Sequence, residues 1–315
     1  MRKAISIKDI AQLLCLNIDS KTLKGIGWKL AACFFFASIN GVVKYISSPG
    51  HTHLVPSSVI TFWQSLFGTM FMVLFVWRTG FSQLKIIHKG LDFIRITTAV
   101  LGIILWYAAL SRLPIAEASS LNFTGPIFTV IGAKLYLNER FSISKLLGIF
   151  IGMLGVFIIM RPDIGLRSDD AVFNWALILP LLSAISIATT KLISRKMGTL
   201  GDSPEAMTLS LLVYMTPFAL VFAYFEWAWP DLSMYPWLVL LGFLSFGAHY
   251  STTKAYQLAE VGTLTPVGFA KLVFTVMIGF IVFGEIPSSM TVWVGLAVIV
   301  ISAVLIGYDN KKSSK

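Results

Sequence analysis

The sequence predicts an all-α integral membrane protein: ten transmembrane helices arranged as two inverted five-helix repeats. Three observations predict it. The 315 residues are 56% hydrophobic and only 13% charged, with mean hydropathy +0.80, which no water-soluble domain of this size needs. About ten apolar runs each approach the roughly 20 residues that cross a bilayer. The chain also repeats itself. One offset places Ala109 on Ala255, Thr129 on Thr275 and Glu139 on Glu285. A nearly equal offset places Ala37 to Ser47 on Ala184 to Ser194, with Lys44 falling on Lys191. Internal symmetry in an apolar chain marks transporters built from two structural repeats.

Residues 1–24 are polar and basic, lack a long apolar core and do not read as a signal peptide. They form a leader on the cytoplasmic side. The first repeat occupies 25–160, with spans near 26–46, 56–77, 93–112, 116–137 and 142–160. An outer linker, 161–172, holds Arg161-Pro162-Asp163. The second repeat occupies 173–308, with spans near 173–193, 206–225, 237–258, 263–283 and 288–308. A basic cytoplasmic tail, 309–315, follows. Five spans per repeat is an odd number, so the halves must sit upside down relative to each other.

Loop charge sets the orientation. Of the 25 Lys and Arg, Lys44, Lys134, Lys191, Lys254 and Lys271 lie inside spans. Only Arg112, Arg161 and Arg167 fall in outer loops. The rest flank the leader side, and a Lys/Arg excess marks the cytoplasm. Both termini are therefore expected inside a bacterial inner membrane. Trp28, Trp77, Trp175, Trp227, Trp229, Trp237 and Trp293 fall near span ends, where amphipathic rings favour the headgroup region. The lipid bilayer is thus one partner. The net charge of +10 is spread over short loops rather than gathered on a face, so no nucleic acid is expected.

The motifs exclude several chemistries. There is no G-x-S-x-G elbow, no H-E-x-x-H and no G-x-x-x-x-G-K-[ST] loop, so neither an intramembrane hydrolase nor an encoded ATPase of that type is indicated. The two cysteines, Cys15 and Cys33, form neither a disulfide framework nor a metal site. No cofactor is expected. A carrier of a small molecule is the leading function. A non-transporting scaffold or sensor is the alternative, and an intramembrane enzyme a more distant one.

Leu137-Asn138-Glu139 and Phe283-Gly284-Glu285 resemble the LGE-like ends of the fourth and ninth helices in the EamA-type drug/metabolite transporter superfamily. The Pro126-centred helix and the glycine-rich fifth helix are similar to that family as well. The resemblance covers roughly residues 25–308. It implies a ten-helix, inverted-repeat secondary carrier with a central cavity, using no ATP. One departure is Lys271-Leu272 in the second copy, where the first has Gly125-Pro126. Lys44-Tyr45 after Asn40 is similar to members that import S-adenosylmethionine. The resemblance leaves substrate, direction, proton coupling, exchange and homodimerisation open, with amino-acid-like or S-adenosylmethionine-like solutes among the candidates.

Function should sit in polar groups at membrane depth, which are costly and usually face an interior. Lys271, about 12 Å into its span, is too deep to snorkel easily. Lys44 and Lys191 occupy equivalent repeat positions. His249 stands mid-span and can carry a proton near neutral pH. Across the short 259–262 turn, His249 and Lys271 are expected at similar depth on neighbouring antiparallel helices. Asn40, Trp63, Trp106, Tyr107 and Tyr250 complete the candidate wall. Asn122, Thr124, Ser186, Thr190 and Tyr214 are further lining candidates, and Pro126, Pro180, Pro217 and Pro266 mark interrupted backbone.

Overall fold

A computed structural model describes residues 19–46, 55–81, 84–110, 112–113, 118, 121–139, 143–160, 175–284 and 290–309. Among them there are helices and turns and no strand. In chain order the helices are α1 Ser20–Ile46, α2 Ser57–Thr79, α3 Lys89–Leu110, α4 Gly125–Tyr136 and α5 Ile143–Met160. There follow α6 Ile178–Thr199, α7 Pro204–Phe225, α8 Tyr235–Leu258, α9 Val261–Val267, α10 Ala270–Phe283 and α11 Met290–Asp309.

Among the described residues, six helical stretches are long and apolar enough to cross a bilayer. They are α1, α2, α7, and the combined stretches Trp175–Thr199, Leu232–Leu258 and Val261–Phe283. Shorter apolar stretches are Leu146–Ile158 and Trp293–Ser302, and α3 and α4 lie where two further spans were expected. α3 carries Lys89, Asp92 and Arg95 in its first two turns. Large apolar side chains face outward, among them Leu74, Leu135, Phe150, Phe225 and Ile281. A coat of that kind suits lipid and would aggregate in water.

Local chemistry explains most boundaries. α1 starts at Ser20, inside the expected leader, and its first turn is closed by Leu23 N–H donating to Asp19 O at 2.9 Å. Ser203 caps α7 by accepting from Ala206 N–H at 3.2 Å, with Pro204 at the first helical position. The two glutamate-ended motifs share a geometry. Asn138 has φ 53 and Gly284 has φ 65, the left-handed conformation that Asn tolerates and Gly adopts freely. The middle residue of each motif is thus set by the turn that ends the helix.

Both copies of the fourth-span pattern are broken at matching places. Helix at 121–122 gives way to a turn at 123–124 before α4; α9 gives way to a turn at 268–269 before α10. Pro126 and Pro266 flank these breaks. Pro217, by contrast, sits within a continuous α7.

Helices pair across the two halves of the chain: α1 along α8, α3 along α6, α2 along α7, and α5 along α11. Thr69 and Thr216 meet hydroxyl to hydroxyl at 3.1 Å, 147 residues apart in sequence. Ala37 and Ala184, and Lys44 and Lys191, are separated by the same amount. Gly152 serves the α5–α11 contact. A Cβ there would meet the Phe269 ring at 2.5 Å and Ser302 Oγ at 2.8 Å, while Ser302 donates to Gly148 O at 2.6 Å. Gly148 and Gly152 thus serve close packing of α5.

Candidate functional site

Three lysines converge inside the helices. Lys29 on α1, Lys191 on α6 and Lys271 on α10 lie within electrostatic range of one another and of Cys33. All three lysines are half-buried. Lys29 Nζ donates to the Tyr256 hydroxyl at 3.4 Å and stands 5.0 Å from the centre of that ring. Lys271 Nζ is 5.5 Å from the Phe36 ring. Among the described residues none of the three ammonium groups pairs with a carboxylate. Like charges held close in low dielectric repel strongly.

The break after α9 supplies part of the wall. Lys271 N–H goes to Gly268 O at 3.3 Å and so leaves Val267 O without its usual helical donor. The buried Cys33 thiol reaches both the Val267 and Gly268 carbonyls at 3.6 Å.

His249 and Lys271 are brought together, but not as expected. α8 and α10 both pack along α1, so they do not form the antiparallel pair that the short turn suggested. Phe36 of α1 bridges them, with the His249 ring edge-on at 5.6 Å and Lys271 over the same ring.

Other predicted residues lie elsewhere. Lys44 is exposed, 5.0 Å from the Phe283 ring. Fifteen residues of helix, about 22 Å at 1.5 Å each, separate it from Lys29. Asn40 is exposed too. Trp63 stacks on Phe67 at 5.5 Å and packs with Ile60, Leu238 and Leu241. Trp106 packs on the cluster of Ala109, Leu113 and Ala176. The Tyr107 side chain lies outside the described residues. Tyr250 donates to Glu205 Oε1 at 2.8 Å, beside Lys254 Nζ at 3.4 Å from the same oxygen, and forms a second polar cluster. Asn122 reaches Ser183 Oγ at 3.4 Å. Thr124 and Thr190 bond carbonyls of their own helical segments at 2.7 and 3.0 Å, and Ser186 is the residue whose carbonyl Thr190 takes. Tyr214 is 58% exposed and faces outward.

Next to this lysine cluster one corner is tightly tied. Glu139, just beyond α4, accepts from Val261 N–H at 3.0 Å and Gly262 N–H at 3.1 Å. Arg195 Nε stands 3.7 Å from its Oε1 and donates through Nη1 to the Tyr256 and Gln257 carbonyls at 2.9 and 3.0 Å. Burial pushes the Glu139 carboxyl above the usual glutamate range, and the two N–H groups pull it back. Ala133, Leu192, Ala255, Ala259 and Leu264 close around this corner. At the same end Asp202 binds the Ile87 and His88 N–H groups and His88 Nδ1, the last at 2.8 Å.

Sequence reasoning missed Lys29, Phe36, Cys33, Tyr256 and Arg195. A Lys29, Cys33, Phe36 stripe at i, i+4 and i+7 was the available signal.

The sequence profile of the EamA-like transporter family matches residues 23–161 and again 174–308. The chain belongs to the EamA-like transporter family. As a member of it, the protein is a multi-pass cell-membrane transporter of a small molecule and not an enzyme. A riboflavin transporter from Vibrio cholerae is 32% identical over 305 residues, covering 95% of this chain and 98% of that one. An S-adenosylmethionine uptake transporter from Rickettsia conorii is 24% identical over 299 residues, covering 95% and 97%. A solved crystal structure, 18% identical, superposes with TM-score 0.74 over 95% of this chain and 100% of that one; this EamA-like transporter shares its fold.

Proposed function

We propose that this EamA-like transporter is a secondary carrier of riboflavin or a closely similar flat heterocycle. In this reading ten spans, as two inverted repeats, rock around the Lys29–Lys191–Lys271 recess. The carrying observation is three neighbouring ammonium groups, two of them over the Tyr256 and Phe36 rings, with no carboxylate of the described residues to neutralise them. An isoalloxazine offers ring nitrogens and carbonyl oxygens as acceptors and a flat face to Phe36 and Tyr256. The relative named as a riboflavin transporter supports this reading. S-adenosylmethionine carries a cationic sulfonium, which the same lysines would repel. Protein in liposomes should take up radiolabelled riboflavin saturably without ATP, and excess S-adenosylmethionine should compete poorly. Uptake of S-adenosylmethionine but not riboflavin would sink the substrate assignment.

The loop charges support both termini in the cytoplasm. Reporter fusions after Lys89, Asp169 and Lys315 should then read inside, outside and inside. An external reading at Lys315 would overturn the ten-span arrangement.

A further inference from the structure

α9 is seven residues long, a rod of about 10 Å, and both its ends are held. At its start Glu139 takes the first two N–H groups, one on each carboxylate oxygen. At its far end the carbonyls of Val267 and Gly268 take the Cys33 thiol. Lys29 Cε also lies 3.5 Å from where a Gly268 Cβ would be. Val261 and Leu264 are wholly buried and Thr263 nearly so, so the rod cannot slide without moving its surroundings. A second route joins the same two places. Arg195, beside Glu139, holds the Tyr256 carbonyl, and the Tyr256 hydroxyl holds Lys29.

We propose that Glu139 is a positioning residue for transport: by holding the start of α9 it latches this end of the recess shut, and a substrate that draws Lys29 away at the far end of α9 loosens the latch. Glu139 touches no substrate in this scheme. It acts through α9, and Arg195 acts through the end of α8. The need for the latch to open rests on the carrier reading above, but the latch itself can be tested without substrate.

The chain has two cysteines, so Cys15→Ser leaves Cys33 as its single thiol, next to the rod. In that background, sealed vesicles of each orientation are treated with a membrane-impermeant maleimide. Glu139→Gln offers one acceptor oxygen where two N–H groups need one each. It should raise Cys33 labelling at least tenfold from the face that carries Glu139, with no rise from the opposite face. Arg195→Gln should act in the same direction. Unchanged labelling in both variants overturns the proposal. An equal rise from both faces also overturns it, because that reports a loosened fold. Should Glu139→Gln not be recovered folded, Arg195→Lys, which keeps a cation beside Glu139 but loses the fork to two carbonyls, is scored by the same rule. Riboflavin uptake is scored separately. If it is absent while labelling rises from one face, the substrate reading fails and the latch stands.

Discussion

Lys29→Met and Lys271→Met should each weaken riboflavin binding by roughly ten- to a hundredfold while leaving the protein folded. A hydrogen bond to a charged group contributes about 1.5–3 kcal/mol, and each 1.4 kcal/mol is about tenfold in affinity. Methionine keeps the length and apolar stem of lysine and removes the ammonium group. Stability provides the control. Taking away one of three like charges relieves repulsion, so the unfolding midpoint in detergent should hold or rise. A lysine kept for folding would show the reverse: lower midpoint, unchanged affinity. Equilibrium binding of labelled riboflavin to each purified variant separates the two outcomes. Unchanged affinity in both variants would move the site away from this recess.

Arg95→Met should destabilise the protein by about 3–5 kcal/mol, the usual cost of removing one partner of a buried ion pair. Arg95 is 1% exposed. It binds Asp92 Oδ1 through Nε at 3.0 Å and Nη2 at 2.6 Å, and ties α3 to α7 through Met207 O at 2.7 Å and Ser210 Oγ at 3.0 Å. Its loss leaves Asp92 buried and unpaired. Adding Asp92→Asn should recover part of the loss, because the stranded charge is then gone. Unfolding of both variants in detergent measures the difference. A single variant as stable as wild type would mean that the α3–α7 contact carries no weight.

Much of the fold was legible because bilayer and repeat impose periodic demands on sequence. The left-handed turns at Asn138 and Gly284 left the same short motif twice, and apolar run lengths located most helices, though α1 starts six residues before its expected first residue and α6 ends six after its expected last. The broken ninth span was half legible: Pro266 announced it, but the turn at Gly268 and Phe269 depends on how Lys271 N–H chooses its acceptor. Lys191 and Lys271 stood out as charges within apolar runs. Lys29 did not, because it follows a basic leader and read as an inner-loop charge. Only the start of α1 at Ser20 carries it more than two turns into a helix. Arg195 and Tyr256 were invisible for another reason: they meet across sixty-odd positions of chain, and no local spacing encodes such a meeting. Trp63 and Trp106 show how little depth alone says. Depth alone suggested a cavity wall, whereas their neighbours are apolar side chains.

The contact between Thr69 and Thr216 has a consequence for measuring the transport cycle. If the two halves trade conformations as the recess changes sides, every residue takes on the geometry its counterpart had before. The separation between a residue and its own counterpart is then the same at both endpoints. Thr69 and Thr216 stand as such a pair, already touching. Spectroscopic labels placed there would give a fixed internal reference, silent between endpoints, against which a distance from Glu139 to Val261 could be calibrated.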